Sequence, residues 1–263
     1  MIRIYLKMFG HFWRLAVARE THYRANLLAL GIVAIVETAM TILPMLLVYS
    51  FADDVAGWSR AESIALVGLF RMALAVHELI ASGGAYRLST DIENGDLDLI
   101  LIRPVSAQFY TAFRIISLPH LVNLLIGTLV FVAGFAQSSL ALTFTGAFQA
   151  IIVFACGLVL FNAAILGGSY IAFRATTING LNWMLQDVAE MGRYPISFYP
   201  RAIQIFLTGV MPVAFVTTFP IDALRGTLGW GMVAIAVAFA ALAILALRWW
   251  WDNSVRHYAS ASS

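Results

Sequence analysis

Two ionisable side chains fall inside long apolar stretches of the sequence. Glu37 lies near the middle of the first stretch, and Arg71 lies near the middle of the second. An unpaired charge at the centre of a bilayer costs about 2.5–3.5 kcal/mol on insertion scales, so such residues pair or face water. The two stretches are joined by a short connection, which makes them antiparallel neighbours and gives both groups similar depth. We therefore expect Glu37 and Arg71 to pair, either as a purely structural ion pair or within a translocation path.

His77 and Glu78 lie further along the second stretch, closer to its end. Interfacial water lowers the cost of a polar group at that depth. Together with Glu37 and Arg71, they form the set of intramembrane polar residues that are candidates for a translocation path.

A second cluster of ionisable residues follows between the second and third apolar stretches, at residues 87–114. Its carboxylates are Asp91, Glu93, Asp96 and Asp98, and an apolar run from Leu99 to Ile102 then leads to Arg103 and Pro104. Gly95 is suited to end one helix and Asp96 to cap the next. A solvated loop with good caps would explain the polar part. The apolar run instead favours contact with a membrane surface or a partner protein.

Motifs for ATP hydrolysis are absent from the sequence. Walker A requires Gly-Lys-Ser/Thr after a glycine-rich turn, and the only lysine, Lys7, stands in a sequence that does not fit. HExxH, paired CxxC and GxSxG motifs are missing, and a single cysteine, Cys156, allows no intrachain disulfide. We therefore predict that this chain is not an enzyme and holds no cofactor. Any energy from ATP would enter through another chain, and residues 87–114 are the candidate contact.

Six apolar segments fill most of the chain. Of its 263 residues, 61% are hydrophobic and 11% are charged, whereas about 25% are charged in soluble domains. A helix needs about 20 apolar residues to cross a bilayer. We place spans at 27–51, 63–81, 115–136, 146–173, 202–220 and 228–251. Lipid offers backbone polar groups no partner outside the segment, so the predicted fold class is all-α, a polytopic membrane protein with six transmembrane helices.

Basic residues are concentrated on alternate connections between these segments. Thirteen lie on one side: Arg3, Lys7, Arg14, Arg19, Arg24, Arg87, Arg103, Arg114, Arg174, Arg193, Arg201, Arg248 and Arg256. Only Arg60 and Arg225 lie on the other side. The positive-inside rule then predicts that both termini are cytoplasmic. The basic residues are spread over several loops instead of forming one patch, so nucleic acid is not an expected partner.

The flanking segments complete the predicted organisation. Residues 1–24 alternate apolar and basic side chains at helical spacing, which indicates an amphipathic helix on the inner membrane surface. This helix is either an interfacial anchor or an elbow that transmits movement into the first span. Residues 25–251 form the transmembrane domain, with no signal peptide before it, and 252–263 form a cytoplasmic tail. Residues 176–192 are too polar to span, and we place them as an amphipathic helix at the inner surface or as an extension of the fourth span.

Short motifs along the chain resemble a known family. Gly95-Asp96-Leu97-Asp98, followed by Leu101-Ile102-Arg103-Pro104-Val105, is similar to the inner-loop signature of type-2 ABC transporter permeases. Arg193-Tyr194-Pro195 through Tyr199-Pro200, Met211-Pro212-Val213-Ala214-Phe215 and Phe219-Pro220 resemble a subfamily with chains of this length. The similarity in span number and order extends along nearly the whole chain.

This resemblance implies the permease subunit of an ATP-driven exporter in a bacterial inner membrane. The substrate would be hydrophobic or amphipathic, such as a lipid or a drug, and would move by alternating access. The implied partners are the bilayer, a second permease half (identical or different) and two cytosolic ATPase subunits, which would hold ATP and Mg²⁺. The implied ATPase-coupling residues are Asp91, Glu93, Gly95, Asp96, Leu97, Asp98, Leu101, Arg103 and Pro104.

Two other classes of membrane protein remain alternatives. One is a secondary transporter or channel with Glu37 and Arg71 in its pathway, although the inverted repeat common in such folds is not apparent. The other is a haem-bearing membrane subunit, because His77 and His120 fall at similar depth and could ligate iron.

Overall fold

The computed structural model describes residues 2–20, 24–140, 142–174 and 179–258. Within these ranges the α-helices are α1 Ile2–Glu20, α2 Arg24–Tyr49, α3 Arg60–Ile80, α4 Ser82–Glu93, α5 Asp96–Leu101, α6 Ala107–Phe113, α7 His120–Gln137, α8 Phe144–Ser169, α9 Asn179–Ala189, α10 Arg201–Gly209, α11 Thr218–Leu224 and α12 Trp230–Arg256. Short 3-10 turns occupy Tyr170–Phe173, Glu190–Arg193, Ile196–Phe198 and Val213–Phe215. Two strands, β1 Asp54–Val55 and β2 Trp58–Ser59, pair antiparallel.

Five of these helical segments are long and apolar enough to cross a membrane. They are Ala29–Tyr49, Arg60–Ile80, His120–Gln137, Phe144–Phe173 and Trp230–Arg256. These segments confirm the first, second, third, fourth and sixth predicted spans to within a few residues. Because each crossing reverses direction, the molecule has two faces. The hairpin face carries β1 and β2, and the basic face carries α1, α4, α5 and α6.

Helices α3 and α7 pack closely because glycine stands where their backbones approach. A Cβ added to Gly127 of α7 would lie 2.8 Å from the backbone nitrogen of Met72. A Cβ added to Gly134 would collide with the backbone of Ala65, and Gly68 on α3 meets α7 in the same way. Small residues allow transmembrane helices to gain dispersion contacts along their backbones, where no hydrophobic effect drives association.

Residues 179–198 make the fifth crossing. Leu185 of α9 packs against Gly168 near the basic-face end of α8. The chain then rises, and the Ser197 hydroxyl donates a hydrogen bond of 3.4 Å to the Ala56 carbonyl in the hairpin. This path corrects the prediction that 176–192 lies on the membrane surface, although residues 175–178 lie outside the described ranges.

The polarity of this segment explains the error. Its polar side chains include Gln186, Glu190 and Arg193, which lower the apolar character of the window. Glu190 and Arg193 form an ion pair, with Arg193 Nη2 at 2.9 Å from Glu190 Oε2. Polar groups are tolerated in a span when protein partners satisfy them.

The predicted fifth span, 202–220, is instead a re-entrant segment. Helix α10 and the stretch that follows it meet at an angle of 76°. The carbonyl of Phe215, near the bend, contacts Gly157 halfway along α8, whereas the carbonyl of Ala223 contacts Gly146 at the hairpin-face end of α8. The segment therefore enters from the hairpin face, turns at mid-depth and returns to the same face.

This path changes the position of two basic residues. Arg201 begins α10 at the hairpin face, and Arg193 lies within the fifth crossing. Removing both from the thirteen leaves eleven on the basic face, against Arg60, Arg201 and Arg225 on the hairpin face. The charge asymmetry that orients the protein is reduced but keeps its sign.

Helix α1 packs on α6 at the basic face through aromatic contacts. The ring centroids of Tyr5 and Phe109 are 5.0 Å apart, and those of Phe12 and Tyr110 are 5.6 Å apart. Edge-to-face geometry at these distances is favourable beyond the area it buries. The amphipathic helix therefore lies directly against the segment that follows the second span.

The C-terminal end of α12 is also part of the packed structure. Helix α12 continues to Arg256, and Trp251 and Ser254 are buried. The predicted cytoplasmic tail, 252–263, is thus helical over its first five residues, and Ser254 within it faces the protein interior. Residues 259–263 lie outside the described ranges.

The fifth crossing predicts a labelling pattern that a surface helix would not give. In a Cys156→Ala background, Ser197→Cys should react with an impermeant thiol reagent from the same side as Asp53→Cys. Ser106→Cys should react only from the opposite side. All three side chains are exposed, so a difference in labelling would report the side of the membrane and not burial within the protein. Labelling of Ser197→Cys together with Ser106→Cys would contradict the crossing.

The glycine contacts predict a specific loss of stability. Gly134→Leu should lower the free energy of unfolding by about 1–3 kcal/mol, because the side chain would force α7 away from α3. Gly231→Leu on α12 is the matched control, since a Cβ there meets nothing within 4 Å. Unfolding in mixed detergent measures both. Equal effects of the two substitutions would show that the α3–α7 contact is not the cause.

Candidate functional site

The segment between the second and third spans folds as three helices, α4, α5 and α6. Asn94 ends α4, and Gly95 follows with φ 76°, a left-handed conformation that favours glycine. Asp96 is the first residue of α5, so Gly95, not Asp96, occupies the cap position. The carboxylate of Asp96 still interacts favourably with the N-terminal end of the helix dipole. Ser106 caps α6 by accepting a hydrogen bond of 3.3 Å from the amide of Phe109.

Asp91 is buried inside this segment. Its carboxylate forms an ion pair with Arg114, and Arg87 Nε lies 3.5 Å from its other oxygen. Burial raises the pKa of Asp91, and the guanidinium groups of Arg114 and Arg87 oppose that shift. The structure therefore corrects the expectation for Asp91: it links α4 to the end of α6 and is not accessible to a partner.

The apolar run after Gly95 has two sides. Leu97 and Ile100 are buried in a cluster with Leu88 of α4 and Trp251 of α12. The structure therefore also corrects the expectation that Leu97 contacts a partner, because a fully buried side chain cannot insert into a groove on another protein. The opposite side of α5 carries Leu99, which is 61% exposed, and Ile102, which follows the helix and is 80% exposed.

Charged residues surround these two exposed side chains. Glu93, Arg103 and Pro104 are exposed, and Asp96, Asp98 and Leu101 are half-buried. The guanidinium of Arg103 lies 4.4 Å from the ring centroid of Tyr110, which holds it beside the apolar pair. We call the set Leu99, Ile102 and Pro104, with Glu93, Asp96, Asp98 and Arg103 around it, the coupling face. An apolar centre within a charged rim is the anatomy of a protein-binding surface.

The intramembrane charges Glu37 and Arg71 are brought together by α2 and α3. Arg71 Nη1 donates a hydrogen bond of 3.0 Å to Glu37 Oε2. The two partners differ in environment, because the Arg71 side chain is 11% exposed and that of Glu37 is 54% exposed. Glu37 therefore presents part of its carboxylate on the outer surface of the helix bundle, within the depth of the bilayer.

Glu190 is a third charged group near this pair, and sequence analysis missed it. It lies within electrostatic range of Glu37, Arg71 and Glu78. In the sequence, Glu190 is recognisable as a carboxylate at helical spacing from other polar residues. Its position could not be recognised while the segment was assigned to the membrane surface.

The two histidines are held by different partners. His77 is fully buried, its Nδ1 lies 2.9 Å from Asn162 Oδ1 on α8, and its ring packs edge-on against Phe161. His120 Nδ1 lies 2.8 Å from Glu78 Oε2. Each imidazole thus joins neighbouring spans through a side chain, and the geometry gives the haem-bearing alternative no particular support.

The Glu37–Arg71 pair predicts non-additive effects on stability. Glu37→Gln and Arg71→Gln should each destabilise, because each leaves a charge in the bilayer without its partner. The double variant should lose about 1 kcal/mol less than the sum of the two single losses. Arg71→Gln combined with Glu20→Gln, at the end of α1, is the control and should be additive. Additive effects for Glu37 and Arg71 would show that the pair contributes no coupling energy.

Comparison with known proteins identifies the family. The chain matches the model of the ABC-2 family transporter protein over residues 35–262. No curated protein and no solved structure matches it. The matched range contains the coupling face, the intramembrane ion pairs and the re-entrant segment, and it covers well over half of the sequence. The chain therefore belongs to the ABC-2 family and is a transport permease component of an ABC transporter.

Proposed function

We propose that this protein is the permease subunit of an ATP-driven exporter and that its coupling face binds the ATPase. The observation that carries the proposal is the pair Leu99, on α5, and Ile102, which follows it, exposed at 61% and 80% although the opposite side of α5 is packed through Leu97 and Ile100. Burial of such side chains contributes about 25 cal/mol per Å² of apolar area. The charges around them would mainly set the association rate and the choice of partner.

The orientation of the molecule supports this role. Eleven basic residues on the basic face against three on the hairpin face favour a cytoplasmic basic face. Both chain ends and the coupling face would then lie in the cytoplasm, where ATP is available. The membrane would be the inner membrane of a bacterium.

A mechanical path leads from the coupling face into the spans. Helix α6 contacts α1, which precedes α2, and Arg19 of α1 donates a hydrogen bond of 2.7 Å to the Ile116 carbonyl before α7. At the other end of this path, the side-chain amide of Gln108 in α6 donates hydrogen bonds of 3.1 Å to the Tyr170 hydroxyl and the Leu247 carbonyl. Displacement of α6 by an ATPase would therefore act on the ends of several spans at once, as alternating access requires.

The exposed side of α2 supports a second permease half. Glu37 is exposed among apolar neighbours at bilayer depth, including Met40, which is 71% exposed, and Leu43, which is 62% exposed. A carboxylate facing lipid there is costly. Contact with a second permease subunit, identical or different, would shield it. Two ATPase subunits would bind such a pair, and a hydrophobic or amphipathic substrate would cross between the halves.

The coupling face gives a direct test of ATPase binding. Leu99→Ser with Ile102→Ser should lower co-purification of the ATPase at least tenfold, because the two substitutions remove the apolar centre of the interface. Asp96→Lys with Asp98→Lys should abolish transport and permease-stimulated ATP hydrolysis. Both double variants should fold, since none of these four side chains is fully buried.

The control is Leu142→Ser, which changes an equally exposed leucine at 71% near the start of α8, on the hairpin face. Co-purification and ATP hydrolysis should remain at the wild-type level in this variant. Normal ATPase binding and hydrolysis in both coupling-face variants would show that the ATPase docks elsewhere.

A further inference from the structure

A cavity of about 570 Å³ lies between α3, α6, α8 and α12, toward the basic face. Its wall is mostly aliphatic and aromatic. Along α8 and the start of the 3-10 turn that follows it, the lining residues run from Ala155 to Tyr170, a distance of about 22 Å at 1.5 Å per residue. One leaflet of the hydrocarbon core is about 15 Å thick, half of the bilayer core. The cavity therefore follows α8 through the depth of one leaflet and reaches the headgroup level.

Arg248 is the one charged residue in the cavity wall, and it lies near the basic-face end of α12. It is exposed, and its guanidinium has no ion-pair or hydrogen-bond partner among residues 2–20, 24–140, 142–174 and 179–258. The two residues that follow are Trp249 and Trp250, which are 70% and 37% exposed. Tryptophan is enriched at membrane–water interfaces, which places Arg248 at headgroup depth.

We propose that this cavity binds one acyl chain of a glycerophospholipid from the basic-face leaflet, with the lipid phosphate on Arg248. An apolar wall one leaflet deep that ends at an unpaired cation is complementary to an acyl chain that ends at an anionic headgroup. A free phosphate would use only the cation and leave the wall unexplained. The binding needs neither ATP nor a partner subunit, so it goes beyond the transport function proposed above.

The bound chain would contact the segment that leads to the coupling face. Gln108 of α6 lines the cavity and ties α6 to the Tyr170 hydroxyl and the Leu247 carbonyl. An acyl chain filling the space beside this contact removes a void from between α6, α8 and α12. Lipid binding is therefore expected to stabilise the position of α6 relative to the last span.

The test uses the purified full chain, without ATPase, in nanodiscs of equal parts phosphatidylglycerol and phosphatidylcholine. Lipid that remains bound after release into detergent is counted by native mass spectrometry. The wild type should retain one phospholipid per chain and prefer phosphatidylglycerol. Val159→Trp places a large side chain in the cavity from an exposed lining position. It should lower retention of both lipids at least tenfold. Arg248→Gln should lower the preference for phosphatidylglycerol about fivefold, and Arg248→Lys should restore it.

Matched controls separate this site from general lipid contact. Ile151→Trp changes an exposed residue two turns from Val159 on α8, outside the cavity wall, and Arg174→Gln removes an exposed cation that does not line the cavity. Both should retain lipid like the wild type. Ala155→Phe is a second filling variant, to be used if Val159→Trp unfolds. The proposal is wrong if the wild type retains no stoichiometric lipid, if inorganic phosphate displaces it, or if either control behaves like its site variant.

Discussion

The close contact between α3 and α7 is the constraint on which the rest of the structure depends. In lipid, two helices gain nothing from hiding apolar side chains from each other, so association requires backbones that approach closely. Gly127 and Gly134 provide that approach. Helix α3 is thereby fixed at the centre of the bundle, where 61% of its spanning residues are buried, the largest share among the five long spans. Arg71, His77 and Glu78 all lie on this helix, so its position decides where the intramembrane polar groups meet their partners.

Those partners explain why so many polar residues are tolerated at bilayer depth. Arg71 meets Glu37 on α2, Glu78 meets His120 on α7, and His77 meets Asn162 on α8. Each pair joins α3 to a different neighbour. A polar contact between spans costs little when both groups are satisfied, and breaking it exposes an unpaired group to hydrocarbon. The three pairs therefore connect α3 to α2, α7 and α8. The closest apolar contact, between α3 and α7, depends on glycine instead.

Sequence analysis predicted the features that depend on local composition. It failed where the structure depends on a contact with a residue that is not recognisable from the local sequence. Five spans follow from runs of apolar residues, and pairing of Glu37 with Arg71 follows from equal depth on neighbouring helices. Asp91 looked like the other carboxylates of its loop, because its partner Arg114 lies at the far end of the segment. The fifth crossing was missed because Glu190 and Arg193 satisfy each other inside the membrane. The second half of the apolar window 202–220, from Met211 to Pro220, is buried by protein instead of lipid, and hydropathy alone does not distinguish the two environments.

The packing of Trp251 against Leu97 and Ile100 has a consequence for the order in which the protein is made. Residues 87–114 leave the ribosome well before α12, and synthesis of the intervening chain takes on the order of ten seconds at about 5–20 residues per second. During that time the inward side of α5 packs on Leu88 of α4 but lacks its contact with Trp251. Helix α5 reaches its native packing only when the last helix has inserted. A truncated chain would thus present an incomplete surface to the cytoplasm, and assembly with soluble subunits would be restricted to chains that have been synthesised to the end.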